Sequence, residues 1–433
     1  MLPSFFGTRP RSLRRSASVA AASVGLLTLA ACSGDSAGPT DPGSNNNPAG
    51  PTVTVTFTPC TGANSSPIVW VAYQDGVTGS WKQATKVGGS YEMKFASTKG
   101  GVAITEDYGS DGHGTDVSFG TIEELQATLN WGCSATTQAT AQVNGLLAGQ
   151  TAKVSFGYNA AYMYGPGDKS STLTAYADAK SMMGVVGLGD STLTKMVLRR
   201  NITSLSQAPV DFSSAEAFAP VPGSITFQGD APVNISLWFQ MSDARHQIMS
   251  NVKPKNGVTT VFGLPADKMQ TGEVYEFYSY YNQQLLGNNL YANKSSHGYV
   301  SSLNNVTVPA IDNPGTIPTM AVKSTTGYVR MGYAWTAPAN TKAFTMYVGG
   351  YTDDNSINTA YSIAYLGTTT VDLSTPNFSG AAGWNNAWAP RTGQTIGYSF
   401  NAETWSANVG GFYLSRVDGN IARRNGWNGT VTQ

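Results

Sequence analysis

"VTTVFGLPADKMQTGEVYEFYSYY", residues 258–281, decides the fold class. A short β-branched run closes on Gly263-Leu264, and Pro265 stops the ladder because it has no N–H to donate. Turn residues follow as far as Gly272. The chain then alternates through Val274, Glu276 and Tyr278 on one side and Tyr275, Phe277 and Ser279 on the other. Period-2 alternation with aromatic residues is the mark of a strand that is buried on one face. The same grammar recurs in "ATAQVNGLLAGQTAKVSFGYNAAYMY", residues 139–164: a strand, a Gly-Leu turn, a Gly, and a second strand.

The rest of the chain reads the same way. Val53, Val55 and Phe57 alternate with Thr, and "IVWVAY" (68–73) is a buried strand. "GGSYEMKF" and "GGVAITEDY" are strands entered by Gly-led turns. "KMVLRR", "YVRMGYAW", "AFTMYVGGY", "TAYSIAYLG", "TIGYSFNAETW" and "GGFYLSRV" continue the series. One helical turn or two is expected over 121–129, "TIEELQATL". There Thr121 stands at the N-cap and Glu124 at the capping-box position. No short exact repeat occurs, which argues against a solenoid or propeller. "IDNPGTIP" (311–318) has two prolines and no hydrophobic period, so it reads as a boundary.

The pattern "V-x-G-L…G-x-x-Y-x-F" resembles the strand-turn-strand corner of fibronectin-III and related immunoglobulin-like domains. Leu264-Pro265 and Tyr275 fall where such domains carry a tyrosine corner. The expected fold is all-β: tandem antiparallel β-sandwiches, immunoglobulin-like or related, behind a disordered N-terminal signal and tether. The expected units are 53–138, 139–229, 230–313 and 314–433.

The N-terminus fixes an expected location. Arg9, Arg11, Arg14 and Arg15 precede an apolar, small-residue run from Ala17 to Ala31, the build of a secretory signal. Its end, Leu29-Ala30-Ala31-Cys32, resembles the lipobox of bacterial lipoproteins. That resemblance implies cleavage after residue 31 and a lipid on Cys32, which anchors the chain to a membrane. "SGDSAGPTDPGSNNNPAGPT" (33–52) is too polar and too rich in Gly and Pro to pack, so 32–52 reads as a flexible tether. Ser33 after Cys32, with no Asp there, resembles the outer-membrane sorting choice. The expected location is the bacterial envelope, at the outer membrane.

Lys plus Arg equals Asp plus Glu at 26 each, and only 12% of residues are charged. Such a chain has no electrostatic footprint for nucleic acid. Cys60 and Cys133 remain once Cys32 is lipidated. In an exported protein they read as a disulfide closing a loop that the chain-entropy model values at about 4 kcal/mol.

Few residues suggest chemistry. "DGHGT" around His113 resembles the catalytic histidine stretch of subtilisin-like proteases, but no Gly-Thr-Ser follows anywhere, and Asp116 stands where that family has a second His. "GDSAGP" (34–39) resembles the nucleophile stretch of chymotrypsin-like proteases. It lies in the tether, where nothing can supply a base or an oxyanion hole. Asp107, Asp111 and Asp116 in a Gly-rich loop are oxygen donors of the kind that hold a cation, against the plainer reading of a solvated loop. Trp384 and Trp388 sit in "GWNNAWAP" with Arg391 close by and Trp405 further on. As exposed rings they would stack on sugars; as buried rings they would pin a loop to a sandwich.

The leading expectation is a non-catalytic, envelope-anchored lipoprotein that displays β-sandwich modules for adhesion, envelope structure or ligand capture. Its partners would be the membrane and a glycan or envelope-protein ligand, and no cofactor is implied. The alternative is a glycan-binding surface lipoprotein using Trp384, Trp388, Arg391 and Trp405. In architecture it resembles outer-membrane polysaccharide-uptake accessory proteins. A hydrolase with an unrecognised site stands third.

Overall fold

The structure is a computed structural model. It describes residues 52–60, 65–129 and 136–432, apart from 77, 130–135, 158, 190–191, 243, 256, 288–289, 312–318, 335–340, 342, 352–356, 367–371 and 406–417. The signal, the lipobox, the tether and Cys133 lie outside the described residues.

The chain is all-β and built of tandem antiparallel sandwiches. The fold-deciding stretch does what its pattern dictates. Val258–Gly263 and Val274–Tyr280 are strands of two different sheets, so the segment between them crosses from one layer of a sandwich to the other. The crossing is closed by one hydroxyl. Tyr275 Oη accepts the Leu264 N–H at 2.9 Å and donates to the Leu264 carbonyl at 3.3 Å, with the ring fully buried. In the second unit, Thr136–Asn144 and Thr151–Phe156 likewise fall in opposite sheets, around a core of Val143, Val154, Phe156, Leu173 and Val197.

The sandwiches are joined rather than strung. One sheet of thirteen strands runs through the first, third and last units, twelve in series and a short one, Gln284–Gly287, paired beside Leu290–Val300. From one edge it passes through Arg245–Val252, Asn234–Gln240, Val274–Tyr280 and Leu290–Val300 of the third unit. It continues through Ile421–Thr432, Thr395–Trp405, Ala343–Tyr351 and Ile357–Leu366 of the last. It ends in His113–Thr121, Lys99–Asp107, Ile68–Asp75 and Trp81–Gln83 of the first. The seam between last and first units is a parallel ladder from Thr359↔His113 to Tyr365↔Phe119.

Smaller layers cover parts of this sheet. Val221–Phe227, Val258–Gly263 and Val306–Val308 pack on the third-unit strands around Ile235, Leu237, Phe239, Tyr275 and Phe277. Thr319–Ser324, Arg330–Ala334 and Asp372–Ser374 cover the last-unit strands on the same face, around Phe344, Met346, Phe400 and Trp427. At the first-unit end, Val53–Phe57, Ser90–Phe95 and Thr85–Val87 pack on the opposite face with the helix Ile122–Leu129, burying Val71, Val102, Phe95 and Leu125. That helix starts with a reciprocal capping box: Glu124 N–H donates to Thr121 Oγ1 at 3.2 Å, and Thr121 N–H donates to Glu124 Oε2 at 2.8 Å.

Candidate ligand-binding face

Side chains alternate across a strand, so a sheet covered on one face shows its other residues on the opposite face. In the central sheet the covered face carries Phe344, Met346, Phe400, Trp427 and Phe277. The opposite face, over the same strands, is polar. Three cross-strand rows can be read from the register. Tyr278, His297 and Ala422 stand in one. Asn293, Gly426, Asn401 and Thr345 form the second. Tyr291, Asn428, Ser399 and Tyr347 form the third. Apart from buried Ala422 and Gly426, these residues are half-buried.

Two carboxylates lie within this face, and both are paired. Glu276 is 4% exposed. Arg245 Nε and Nη2 each reach it at 2.8 Å, His297 Nε2 meets Oε1 at 2.7 Å, and Gln240 Nε2 donates to Oε2. Burial alone would raise its pKa. Arg245 first, and then His297 and Gln240, outweigh burial and hold the carboxyl below its ordinary value. Arg245 stacks over Trp238 at 4.1 Å, and His297 lies between Tyr278 and Tyr299, at 5.8 and 5.2 Å. Further along, Glu403 pairs with Arg424. Sequence reading missed this face because it pairs residues as distant in the chain as Tyr291 and Asn428, and only the register places them side by side.

The residues that the sequence did single out fall elsewhere. Trp384 and Trp388 are half-buried, with ring centroids 5.5 Å apart and planes at 83°, so they form no shared platform. Trp384 packs on Trp70 at 5.0 Å and Phe378 at 4.7 Å, and Trp388 faces His113 at 5.9 Å. The two rings close one end of the last sandwich, and the Trp70 Nε1–H donates to the Ala382 carbonyl of the same loop. Arg391 is exposed and turns back to the Ala387 carbonyl. Trp405 ends its strand opposite Ala422, and its side chain lies outside the described residues.

Of "DGHGT", Asp111 and Gly112 end a tight turn with Gly109 and Gly112 at positive φ, and His113, Gly114 and Thr115 open the paired strand His113–Thr121. Asp107 accepts the Gly109 N–H at 2.8 Å and lies 3.9 Å from His113. Asp111 is exposed on the turn. Asp116 pairs with Ile104, an odd number of residues from His113, so strand alternation places it on the face opposite Asp107. The three carboxylates do not converge. Among the described residues no group of three or more His, Cys, Asp or Glu is arranged to hold a metal ion.

The three histidines have distinct surroundings. His113 has Asp107 and Trp388 beside it. His297 has Glu276, and no described hydroxyl or thiol bonds to its other ring nitrogen. His246 is fully buried between Ser155 Oγ on Nδ1 at 2.8 Å and Ser181 Oγ on Nε2 at 2.9 Å. Burial first, and Arg200 second, push its pKa down to about 3. The ring is therefore neutral, donating to one serine and accepting from the other. Among the described residues, none of the three is seen to join a hydroxyl and a carboxylate, the pair of partners a histidine base needs. The serines of His246 belong to the second unit and its strand to the central sheet, so this node fastens the two.

No family model and no curated protein matches the chain.

Proposed function

We propose that the protein is a non-catalytic lipoprotein of the bacterial envelope, held at the outer membrane by a lipid on Cys32, that captures a ligand on the polar face of its central sheet. The observation that carries the reading is that face: a row-ordered field of Asn, Ser, Thr and Tyr on a rigid sheet, with Glu276 and Glu403 each neutralised by a neighbouring cation. A surface with paired charges and half-buried side chains suits recognition of a neutral ligand better than chemistry. The surroundings of the three histidines favour the same reading. The polar 32–52 segment would give the folded part reach above the membrane.

The Cys60–Cys133 bridge belongs to this proposal, and the disulfide-bonded state of Cys60 supports it. The anchor is tested by labelling cells with radioactive palmitate. Wild type should take up label and sediment with outer membranes. Cys32→Ala should lose the label and leave the membrane fraction. An unlabelled wild type, or a Cys32→Ala protein with unchanged location, would remove the anchor.

A further inference from the structure

One end of the second unit gathers apolar side chains in the open. The loop 145–150 follows Thr136–Asn144, the loop 165–169 follows Asn159–Tyr164, and Ser181–Leu188 finishes beside them. The register fixes their closeness, because Thr151 stands opposite Tyr164 on one side and Gly187 on the other. Gln150 ties in the first loop: its N–H donates to the Leu147 carbonyl at 3.2 Å, and its carbonyl accepts the Gly165 N–H at 2.8 Å. Leu147, Tyr164 and Leu188 therefore share this end, and they are 66%, 65% and 56% exposed. They are three of the four most exposed large apolar residues among those described. At Gly149, Gly165 and Gly189 an added Cβ would meet nothing within 4 Å, so these loop ends stand clear of the rest of the described chain.

The surroundings narrow the occupant. Between the three side chains lie Gly149, Gln150, Gly165 and Gly167, all small or polar. The end thus offers separate apolar groups rather than the continuous area a stable protein interface needs. A fluid bilayer accepts separate groups, because its lipids rearrange around each one. Leu suits the hydrocarbon, and Tyr suits the boundary, where its ring is apolar and its hydroxyl wet. The carboxylates nearby are engaged: Asp168 accepts the Tyr164 N–H at 3.0 Å, and Asp211 accepts the Ser213 N–H at 2.8 Å. Lys169 is exposed beside a hollow of about 210 Å³ that it lines with Asn144, Leu146 and Pro166, and no described group pairs with it. The chain ahead of the described residues points to the same occupant. A flexible segment as long as 32–52 has a root-mean-square span of roughly 25 Å. A lipid on Cys32 would keep the folded part that close to a bilayer, where a weak second contact forms at high effective concentration.

We infer that this end of the second unit docks on a phospholipid bilayer, with Leu147, Tyr164 and Leu188 entering its boundary and Lys169 facing headgroup phosphates. The contact goes beyond the capture reading and uses none of the residues of the polar face. It rests on the Cys32 reading only for the closeness of the membrane. Lipid and docking end then act as two signals, and the docking end orients the folded part on the surface. Three side chains are too few to hold the protein through fractionation on their own, so Cys32→Ala still leaves the membrane. One exposed lysine on a phosphate adds little, so the apolar side chains set the strength and salt changes it little.

The test uses the full-length lipidated protein in vesicles of three parts phosphatidylethanolamine to one part phosphatidylglycerol, with and without a doxyl quencher on the acyl chains. A nitrobenzoxadiazole label, which shifts to the blue in apolar surroundings, is placed on Leu147→Cys. The control is Asp178→Cys, exposed in the turn between Ser170–Tyr176 and Ser181–Leu188 at the opposite end of the unit. At Leu147→Cys the label should be blue-shifted and lose at least half its emission to the quencher, at low and high salt alike. At Asp178→Cys it should do neither. Adding Tyr164→Ser and Leu188→Ser should bring the first label to the level of the second. Should that pair lower the melting temperature, the comparison of Leu147→Cys with Asp178→Cys decides alone. An unquenched label at Leu147→Cys overturns the inference, as does equal quenching at both positions or quenching that the well-folded serine pair leaves intact. A blue shift without vesicles in the Cys32→Ala protein, with twice the monomer mass in light scattering, overturns it too and assigns the end to a second copy. Should palmitate labelling fail, the same label is read in the Cys32→Ala protein with vesicles in large excess. Quenching there upholds the docking end while the anchor falls, and its absence overturns the docking end as well.

Discussion

Removing one oxygen atom tests the link from sequence to fold. Tyr275→Phe keeps the ring, its volume and its packing against Phe239. It deletes the hydroxyl that accepts the Leu264 N–H at 2.9 Å and donates to the Leu264 carbonyl at 3.3 Å. Leu264 is 4% exposed, so water does not readily replace the lost partner. A buried N–H left unpaired costs about 1–3 kcal/mol. At about 2 kcal/mol the local opening equilibrium rises roughly 30-fold. Hydrogen–deuterium exchange read at the 258–281 peptide should show the Leu264 amide exchanging that much faster, with distant peptides unchanged. Tyr278→Phe is the control: its hydroxyl meets Ser295 Oγ at 3.2 Å at a half-buried site, and its loss should change exchange less than threefold. Burial also pushes the Tyr275 hydroxyl up to about 12. Its folded pKa thus exceeds the unfolded value near 10, so its contribution is complete below pH 10 and is lost as pH rises through 12. The Phe variant should lack that alkaline loss. Exchange at Leu264 within twofold of wild type would refute the idea that this hydroxyl closes the corner.

Two other perturbations give clear expectations. His246 has a folded pKa near 3, below its ordinary 6.5, so its contribution to stability is present above pH 6.5 and declines as pH falls toward 3. Denaturation of wild type and His246→Leu across pH 7 to 3 should show the variant less stable by a few kcal/mol at pH 7, with the gap narrowing in acid; a constant gap would count against a neutral ring held by Ser155 and Ser181. Trp384→Ala should destabilise the last sandwich by about 3 kcal/mol in thermal unfolding, because the ring packs on Trp70, Phe378 and Tyr328. A loss under 1 kcal/mol would mean that the ring works in solvent rather than as a plug.

What could be read from the sequence was local. The Gly263-Leu264-Pro265 turn, the alternation after Gly272 and the Thr121–Glu124 capping box each involve residues within about twenty positions, and each has the geometry its pattern implies. The central sheet was not legible in the same way. Its parallel seam joins residues near 115 to residues near 361, and nothing in either strand names its partner. The polar face was hidden for the same reason: Asn293, Gly426 and Asn401 look like ordinary surface residues until the register aligns them. Trp384 and Trp388 drew attention because tryptophan in a Gly/Asn loop is conspicuous. Their contacts depend on Trp70, more than 300 residues earlier.

The central claim is that the polar face of the thirteen-stranded sheet is the working surface. Hydroxyl-radical footprinting reports side-chain exposure directly, and it can be run on the full-length protein with and without a solubilised outer-membrane extract. The account predicts protection of Tyr278 and Tyr291 on binding, with Trp384 and Trp388 unchanged. Protection of Trp384 and Trp388, with Tyr278 and Tyr291 as reactive as in the free protein, would contradict it.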